Sequence, residues 1–205
     1  MKMAKIFLLL ISFVLISCQG YQKESLNDEF KKGISLDKLV EVKGKDRIVA
    51  TIETDLGTIQ IELFSQEAPL AVKNFVGLAL EGYYNGLTFH RIIKGFMIQT
   101  GDSLGTGEGG RSIYGKEFED EFSPSLTFAE TGMVAMANKG PASNLSQFFI
   151  TTAAVPHLNR KHTIFGKVIE GMDIVNKIGN VKTNRIGKPD KDVLMKKVLV
   201  EKRVY

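Results

Sequence analysis

Hydrophobic and polar residues alternate along much of the chain after residue 47, which is the pattern of half-buried β-strands. The stretch IVATIETDLGTIQIELF, residues 48–64, alternates on both sides of Asp55, Leu56 and Gly57, and it therefore predicts a β-hairpin. We expect further short strands in the apolar runs at residues 87–92, 96–100, 132–137, 147–151, 163–168 and 193–200.

Two segments have a helical period instead. APLAVKNFVGLALEG, residues 68–82, begins near Pro69, ends at Gly82 and carries its apolar residues on one face. Met172, Val175 and Ile178 predict a second, short helix. Many short strands with two helices predict one mainly β domain over residues 47–205, an antiparallel barrel that is closed or nearly closed and has helices over its open ends.

The first eighteen residues have the pattern of an export signal. Lys2 and Lys5 precede an apolar run of eleven residues, Ile6 to Ile16, whereas a bilayer-spanning helix needs roughly 20. The run leads into LISC, which resembles a bacterial lipoprotein cleavage box with Cys18 as the lipidated residue. The alternative is an ordinary export signal with an incidental cysteine. We expect a signal peptide over residues 1–17 and an exported protein, anchored in a membrane on its periplasmic or outer face.

Residues 18–46 are polar, mixed in charge and without a sustained period, so we expect a lipid-anchored flexible tether with at most a short helix near residues 30–40. Cys18 is the only cysteine, which excludes a disulfide within the chain. The net charge is +4, of which Lys2 and Lys5 supply two, and no basic run contains interleaved aromatic residues. We therefore expect no nucleic-acid partner.

The segment FHRIIKGFMIQTGD, residues 89–102, is apolar except for a few residues, among them Arg91 and Gln99. A guanidinium is permanently charged and cannot act as a base at neutral pH. Arg91 beside Phe89 and Phe96 therefore predicts a hydrogen-bond donor directed into an apolar pocket. The alternative is a surface arginine in a salt bridge.

Other site patterns are absent or incomplete. Gly105, Gly107 and Gly110 form a GxGxxG, but the residues after it have no helical period, so we interpret it as a flexible, tightly turning surface loop and not as a nucleotide site. The three histidines have no metal-ligand spacing, and no GxSxG is present. We expect no metal and no cofactor.

Residues 89–102 resemble the signature of the cyclophilins, the peptidyl-prolyl isomerases. GEGGRSIYGKEFEDEF (107–122), GMVAMANKGPASNLSQFFITT (132–152) and HLNRKHTIFGKVIEGMDIV (157–175) follow in the order and approximate spacing of that family. The resemblance covers roughly residues 48–203. It implies a closed eight-stranded antiparallel barrel capped by two α-helices, and an enzyme that isomerises X-Pro bonds in extracytoplasmic polypeptides and so assists their folding.

The resemblance also implies residue roles. Arg91 would be the catalytic donor. The proline pocket would be formed by Phe96, Met97, Phe149 and Leu158, with His162 at its edge, although ordinary core packing is the alternative for each apolar residue. The peptide groups of the substrate would be held by Gln99, Asn138 and the backbone near Ala137, with Gln147 in support.

The chemistry fits these residue types. Rotation about a peptide bond faces a barrier of about 18–20 kcal/mol because the nitrogen lone pair is shared with the carbonyl, and no covalent bond has to break. A guanidinium that donates to the nitrogen lone pair, which twisting frees, would stabilise the twisted state selectively. Apolar walls would strengthen that bond by excluding water.

One position departs from the family pattern. Many cyclophilins have a tryptophan before the leucine of the HLNRKHTIFG block, whereas this chain has His157 and no tryptophan at all. We expect catalysis to survive and cyclosporin to bind weakly, because the indole donor and its apolar face are lost. The partners would be proline-containing polypeptides and, through the anchor, a membrane, and we expect a monomer. The alternative function is a proline-segment binding module that acts as a chaperone or surface adhesin.

Overall fold

Nine strands and four α-helices form residues 20–205, the part of the chain that this computed structural model describes. The strands are β1 (Gln22–Ser25), β2 (Arg47–Thr54), β3 (Gly57–Leu63), β4 (Arg91–Ile93), β5 (Met97–Thr100), β6 (Met133–Met136), β7 (Phe148–Thr151), β8 (Ile164–Glu170) and β9 (Met195–Val204). The helices are α1 (Leu26–Lys31), α2 (Leu36–Val40), α3 (Pro69–Leu80) and α4 (Met172–Gly179), and a single 3₁₀ turn covers Pro156–Leu158. The expected signal peptide and Cys18 lie outside the described residues and stay predictions.

The predicted hairpin and both predicted helices are confirmed. Strands β2 and β3 pair antiparallel, and the Thr54 hydroxyl donates to the Gly57 carbonyl at 2.6 Å inside the turn. Helix α3 has no cap of its own at Ala68, and the carboxylate of Glu121 instead accepts the backbone N–H groups of Leu70 and Ala71, each at 2.9 Å. That contact satisfies two of the free donors at the start of the helix from a distant part of the chain.

The strands form one antiparallel sheet in the order β1-β9-β2-β3-β8-β6-β7-β5-β4. The ladder of these strands is open, with β1 and β4 at its ends, so the predicted closed eight-stranded barrel is not confirmed. Residues 86–89 nevertheless exchange backbone hydrogen bonds with residues 193–195, while β1 pairs with residues 201–204. Strand β2 occupies one edge of β9. Strand β1 and residues 86–89 therefore share the other edge of β9.

The segment expected to be a flexible tether is partly structured. Residues 22–40 contain β1, α1 and α2, where we expected at most one helix. Leu26 and Leu39 are 2% and 3% exposed and join the main core, and the Ser25 hydroxyl caps α1 by accepting the N–H of Asp28. Burial of a few leucines and pairing with β9 order this polar segment, although each element is too short to show a period. No helix among residues 20–205 is long and apolar enough to cross a bilayer.

Candidate active site

Strands β4, β5, β6 and β7 form a part of the sheet whose two faces bury different clusters. Successive residues of a strand point to opposite faces, and here one set enters the main core: Ile92, Ile98, Val134, Phe148 and Ile150. The other set, Met97, Met133, Ala135 and Phe149, belongs to a separate cluster that we call the outer cluster. The other buried members of the outer cluster are Phe128, Val155 and Ile164. The outer cluster is the apolar floor on which the candidate site lies.

Strand register aligns the polar and apolar parts of the site. Gly95 adopts a left-handed φ of 69° in the turn between β4 and β5, and the resulting pairing sets Arg91 opposite Gln99. Gln99 in turn pairs with Phe149, and Phe149 with Ala135. Four residues on four strands, from two distant sequence blocks, therefore form one row across the sheet, because neighbours in a ladder share a face.

A chain of hydrogen bonds fixes the guanidinium of Arg91. Its Nη1 donates to Oε1 of Gln99 at 3.1 Å, and Nε2 of Gln99 donates to Oε1 of Gln147 at 2.9 Å. Nε2 of Gln147 donates to the carbonyls of Gly107 and Gly109 at 2.9 and 2.8 Å. Arg91 is solvent-exposed and makes no ion pair within residues 20–205, so the structure does not support the alternative of a surface salt bridge. Most N–H donors of the Arg91 guanidinium are therefore open to a ligand.

These side chains border a pocket of about 170 Å³, the proline pocket. Its lining consists of Arg91, Phe96, Met97, Gln99, Ala137, Asn138, Phe149, Leu158 and His162. Gln147 supports Gln99 from an adjoining pocket. His157 lies at the rim, with its ring 6.0 Å from that of Phe96 and stacked at 22°. The structure thus assembles every described residue of the expected site, while their action on a substrate stays a prediction.

Asn138 is held differently from what we expected. Its side-chain amide donates to Oδ1 of Asp120 at 3.3 Å and to the carbonyl of Lys161 at 2.9 Å. Both side-chain donors are therefore directed to neighbouring loops. The backbone N–H and carbonyl of Asn138 have no partner among residues 20–205, so the backbone is the better candidate for pairing with a bound peptide.

Sequence reasoning gave no role to Asp102, which is 1% exposed. Its carboxylate accepts the backbone N–H groups of Leu104 at 2.8 Å, Thr106 at 2.9 Å and Gly107 at 2.6 Å. Burial alone would raise the pKa of Asp102, but these backbone bonds and one from Gly109 lower it below its usual value. The GxGxxG segment is thus a loop tied to one buried carboxylate, and a side chain at Gly109 would clash with it, since a Cβ there would lie 2.0 Å from Oδ1.

Burial lowers the pKa of two histidines, His162 in the proline pocket and the buried His90. Burial lowers the pKa of His162 even though its Nδ1 lies 3.0 Å from the carbonyl of Met136, and its ring meets that of Phe149 edge-on at 5.2 Å. For His90 this lowering prevails over the opposing effects of the Asp102 charge and the Gln147 side chain. Residues 20–205 contain no group of three His, Cys, Asp or Glu placed to hold a metal ion.

Comparison with known proteins identifies the family. The family model described as cyclophilin type peptidyl-prolyl cis-trans isomerase/CLD matches residues 49–200. The chain belongs to this family. Cyclophilin membership confirms the resemblance seen in the sequence, the mainly β fold and the enzyme class, that of the peptidyl-prolyl cis-trans isomerases.

Individual cyclophilins agree with this assignment. Peptidyl-prolyl cis-trans isomerase-like 1 of Mus musculus is 56% identical over 142 residues, which cover 69% of this chain and 86% of that protein. Peptidyl-prolyl cis-trans isomerase-like 3 of Gallus gallus is 49% identical over 154 residues, which cover 75% of this chain and 96% of that protein.

Solved cyclophilin structures are similar too. A crystal structure of a cyclophilin type isomerase from Cryptosporidium parvum superimposes with a TM-score of 0.74 at 42% identity, covering 75% of this chain and 97% of that one. A structure of the same protein in the presence of the dipeptide Ala-Pro gives a TM-score of 0.73 at 42% identity, covering 74% and 98% of the two chains.

Proposed function

We propose that Arg91 is the catalytic donor with which this cyclophilin isomerises X-Pro bonds. The observation that carries the proposal is an exposed guanidinium without an ion pair in the described part of the chain, which Gln99 holds at the edge of the proline pocket. Twisting the X-Pro bond returns the lone pair to the proline nitrogen, which can then accept a hydrogen bond from Arg91. The planar forms offer no such acceptor, so the bond stabilises only the transition state.

The other residues of the pocket have complementary roles in this proposal. Phe96, Met97, Phe149 and Leu158 seat the proline ring and exclude water, which strengthens the bond to the guanidinium. Preorganised donors of this kind contribute about 2.7–4 kcal/mol, or roughly 10²–10³-fold in rate. Proline-containing peptides are the substrate class, in keeping with the relative whose structure was solved in the presence of Ala-Pro.

The first experiment is turnover of a model Ala-Pro peptide by the wild-type protein, followed by NMR exchange spectroscopy. We expect cis and trans signals to exchange far faster than the tens to hundreds of seconds of the free peptide. Binding of the peptide without faster exchange would refute catalysis and would support the alternative, a binding module with chaperone or adhesin activity.

The location is a separate part of the proposal and rests on the sequence of residues 1–18. Cys18 carries the lipid anchor, and the substrates are extracytoplasmic polypeptides whose folding the enzyme assists. Strand β1 begins at Gln22, so an anchored domain would stand within roughly 14 Å of the lipid headgroups, the reach of four extended residues. Its groove would then meet polypeptides close to the membrane.

Substitution of the cysteine tests the anchor. We expect the wild-type protein to partition into detergent and Cys18→Ser to stay unmodified, either unprocessed or in the aqueous phase. A Cys18→Ser protein that still partitions like the wild type would contradict lipidation at that residue.

A further inference from the structure

A second, larger pocket adjoins the proline pocket, and the two together form a continuous groove. This flanking pocket has a volume of about 350 Å³ and is lined by Asp120, Phe122, Asn138, Gly140, Pro141, Arg160, Lys161 and His162. Asn138 and His162 line the proline pocket as well. A polypeptide whose proline occupies the proline pocket would therefore pass directly into the flanking pocket.

The charges of the flanking pocket are unbalanced. Asp120 supplies one negative charge, and its carboxylate accepts hydrogen bonds from Asn138, from Asn144 at 2.8 Å and from the backbone of Ala142 at 2.9 Å. Arg160 and Lys161 are exposed, and neither forms an ion pair within residues 20–205. The lining thus has two cations and one carboxylate, an excess of one positive charge, beside an apolar surface that includes Phe122, which is 44% exposed.

Arg160 occupies a position that normally belongs to glycine. The N–H of Lys161 donates to the carbonyl of Leu158 at 3.1 Å, and Asn159 has φ −54° and ψ 133°. With φ 58° at Arg160, these values match a type II turn whose third residue is Arg160. A residue with a Cβ is disfavoured there. Arg160 forms no ion pair within residues 20–205, so its guanidinium is available to a ligand.

The pocket that adjoins the proline pocket on its Gln147 side has an excess of negative charge. The adjoining pocket on the Gln147 side is lined by Glu108, Glu117 and Lys139 among others. Glu108 and Lys139 form an ion pair with each other, which leaves Glu117 as the uncompensated charge. The proline pocket therefore adjoins one pocket with an excess of negative charge and another with an excess of positive charge.

We propose that the flanking pocket is a specificity subsite that binds an acidic side chain, Asp or Glu, of the substrate within two residues of the proline. Arg160 and Lys161 attract the carboxylate, and Phe122 and Pro141 pack against its methylene groups. The inference rests on the proposed function, because the same groove must hold the proline. Glu117 repels an acidic residue placed on the other side of the proline, so the preference is directional.

The test compares peptides that differ at one position. Each carries Glu, Gln or Lys at one of the two positions before or the two positions after the proline, and kcat/KM and Kd are measured at low ionic strength. We expect the Glu peptide to exceed its Gln counterpart by about two- to fivefold on one side of the proline only, the range of a single exposed ion pair. The preference should shrink at high salt.

Variants of the two cations assign the effect. Arg160→Gln and Lys161→Gln remove one charge each, and both should reduce the ratio of kcat/KM for the Glu peptide to that for the Gln peptide. The double variant Arg160→Glu and Lys161→Glu should prefer the Lys peptide. Lys31→Gln, which removes an exposed charge on α1, is the matched control and should keep the wild-type preference.

The outcomes separate this proposal from the proposed function. Wild-type protein that isomerises all peptides with equal kcat/KM would overturn the subsite and leave catalysis intact, as would a preference that persists in both Gln variants. A different outcome is that no peptide is isomerised, but the Glu peptide binds more tightly than the Gln peptide and this difference depends on Arg160 and Lys161. That result would refute the proposed catalysis and support the subsite. Equal Kd values for all peptides would overturn the subsite in that case as well.

Discussion

Substitution of Asp102 by Asn tests whether one buried carboxylate holds the groove in place. The carboxylate accepts three short backbone hydrogen bonds in the loop that follows β5, and the carbonyls of that loop hold Gln147. An asparagine keeps one acceptor oxygen but presents an NH₂ group to backbone donors. At least one hydrogen bond to a charged group, worth about 1.5–3 kcal/mol, is lost, and a buried N–H is left unpaired. We expect the free energy of unfolding to fall by about 2–4 kcal/mol.

The same substitution should slow catalysis without touching the substrate. When Gly107 and Gly109 shift, Gln147 and Gln99 lose their fixed positions and Arg91 is no longer held over the pocket. Because a displacement of about 1 Å can cost roughly a hundredfold in rate, we expect kcat to fall about tenfold or more, with a smaller change in KM. Urea denaturation and peptide turnover, measured at a temperature where both proteins are folded, give the two values.

The pH dependence of stability provides an independent check. The pKa of Asp102 is lowered in the folded state, so its contribution is fully present above the usual value of 3.8 and is lost as the pH falls through the lower folded pKa. The stability difference between wild type and Asp102→Asn should therefore narrow below about pH 4. Glu130→Gln, which breaks an exposed ion pair with Lys167, serves as the control and should change stability little. Equal denaturation midpoints and equal kcat for wild type and Asp102→Asn would refute the reasoning.

Three further predictions concern the aromatic and histidine side chains. Phe149→Ala should raise KM and cost about 3–5 kcal/mol of stability, because Phe149 is 4% exposed in the outer cluster. Phe149→Leu should keep most of the wild-type stability in urea denaturation but should not restore the affinity for proline. An unchanged KM in both variants would contradict the assignment of Phe149 to the proline pocket. His157→Trp should increase inhibition by cyclosporin while changing peptide turnover little, and equal inhibition of the two proteins would show that the rim position does not control drug binding. Because the pKa values of His90 and His162 are lowered in the folded state, the unfolded chain binds protons at a higher pH than the folded protein does. The free energy of unfolding should therefore decrease as the pH falls from about 6.5, their usual pKa, through the folded pKa values. A free energy of unfolding that stays constant from pH 7 to 5 would contradict the lowered pKa of both histidines.

Local sequence pattern predicted the strands and a donor at Arg91 beside an apolar pocket, while the family resemblance supplied the other residues of the site. The turn at Gly95 joins two strands of alternating residues, and this alone places Arg91 opposite Gln99. The family blocks then supplied Phe149 and His162, which no local pattern links to Arg91. The proline pocket could therefore be predicted from its own side chains together with the resemblance.

What the sequence could not reveal depends on three-dimensional contacts of short segments. Strand β1 exists because β9 offers it an edge, and α2 because Leu39 reaches the core. The role of Asp102 depends on how the glycine loop folds back on a carboxylate, and that of Arg160 depends on a positive φ at a turn. Register shifts, such as the one at Glu53 and Thr54, are likewise not predicted by alternation.

The most direct test of the account compares catalysis and binding in Arg91→Ala. Arg91 is exposed and free of ion pairs in the described chain, so the variant should fold like the wild type, which circular dichroism checks. We expect kcat/KM to fall at least about a hundredfold, roughly 2.7 kcal/mol, while the Kd of a proline peptide changes much less. Arg91→Lys should rescue poorly, because an ammonium lacks the planar fork of donors. A folded Arg91→Ala protein that isomerises the peptide at the wild-type rate would contradict the central claim.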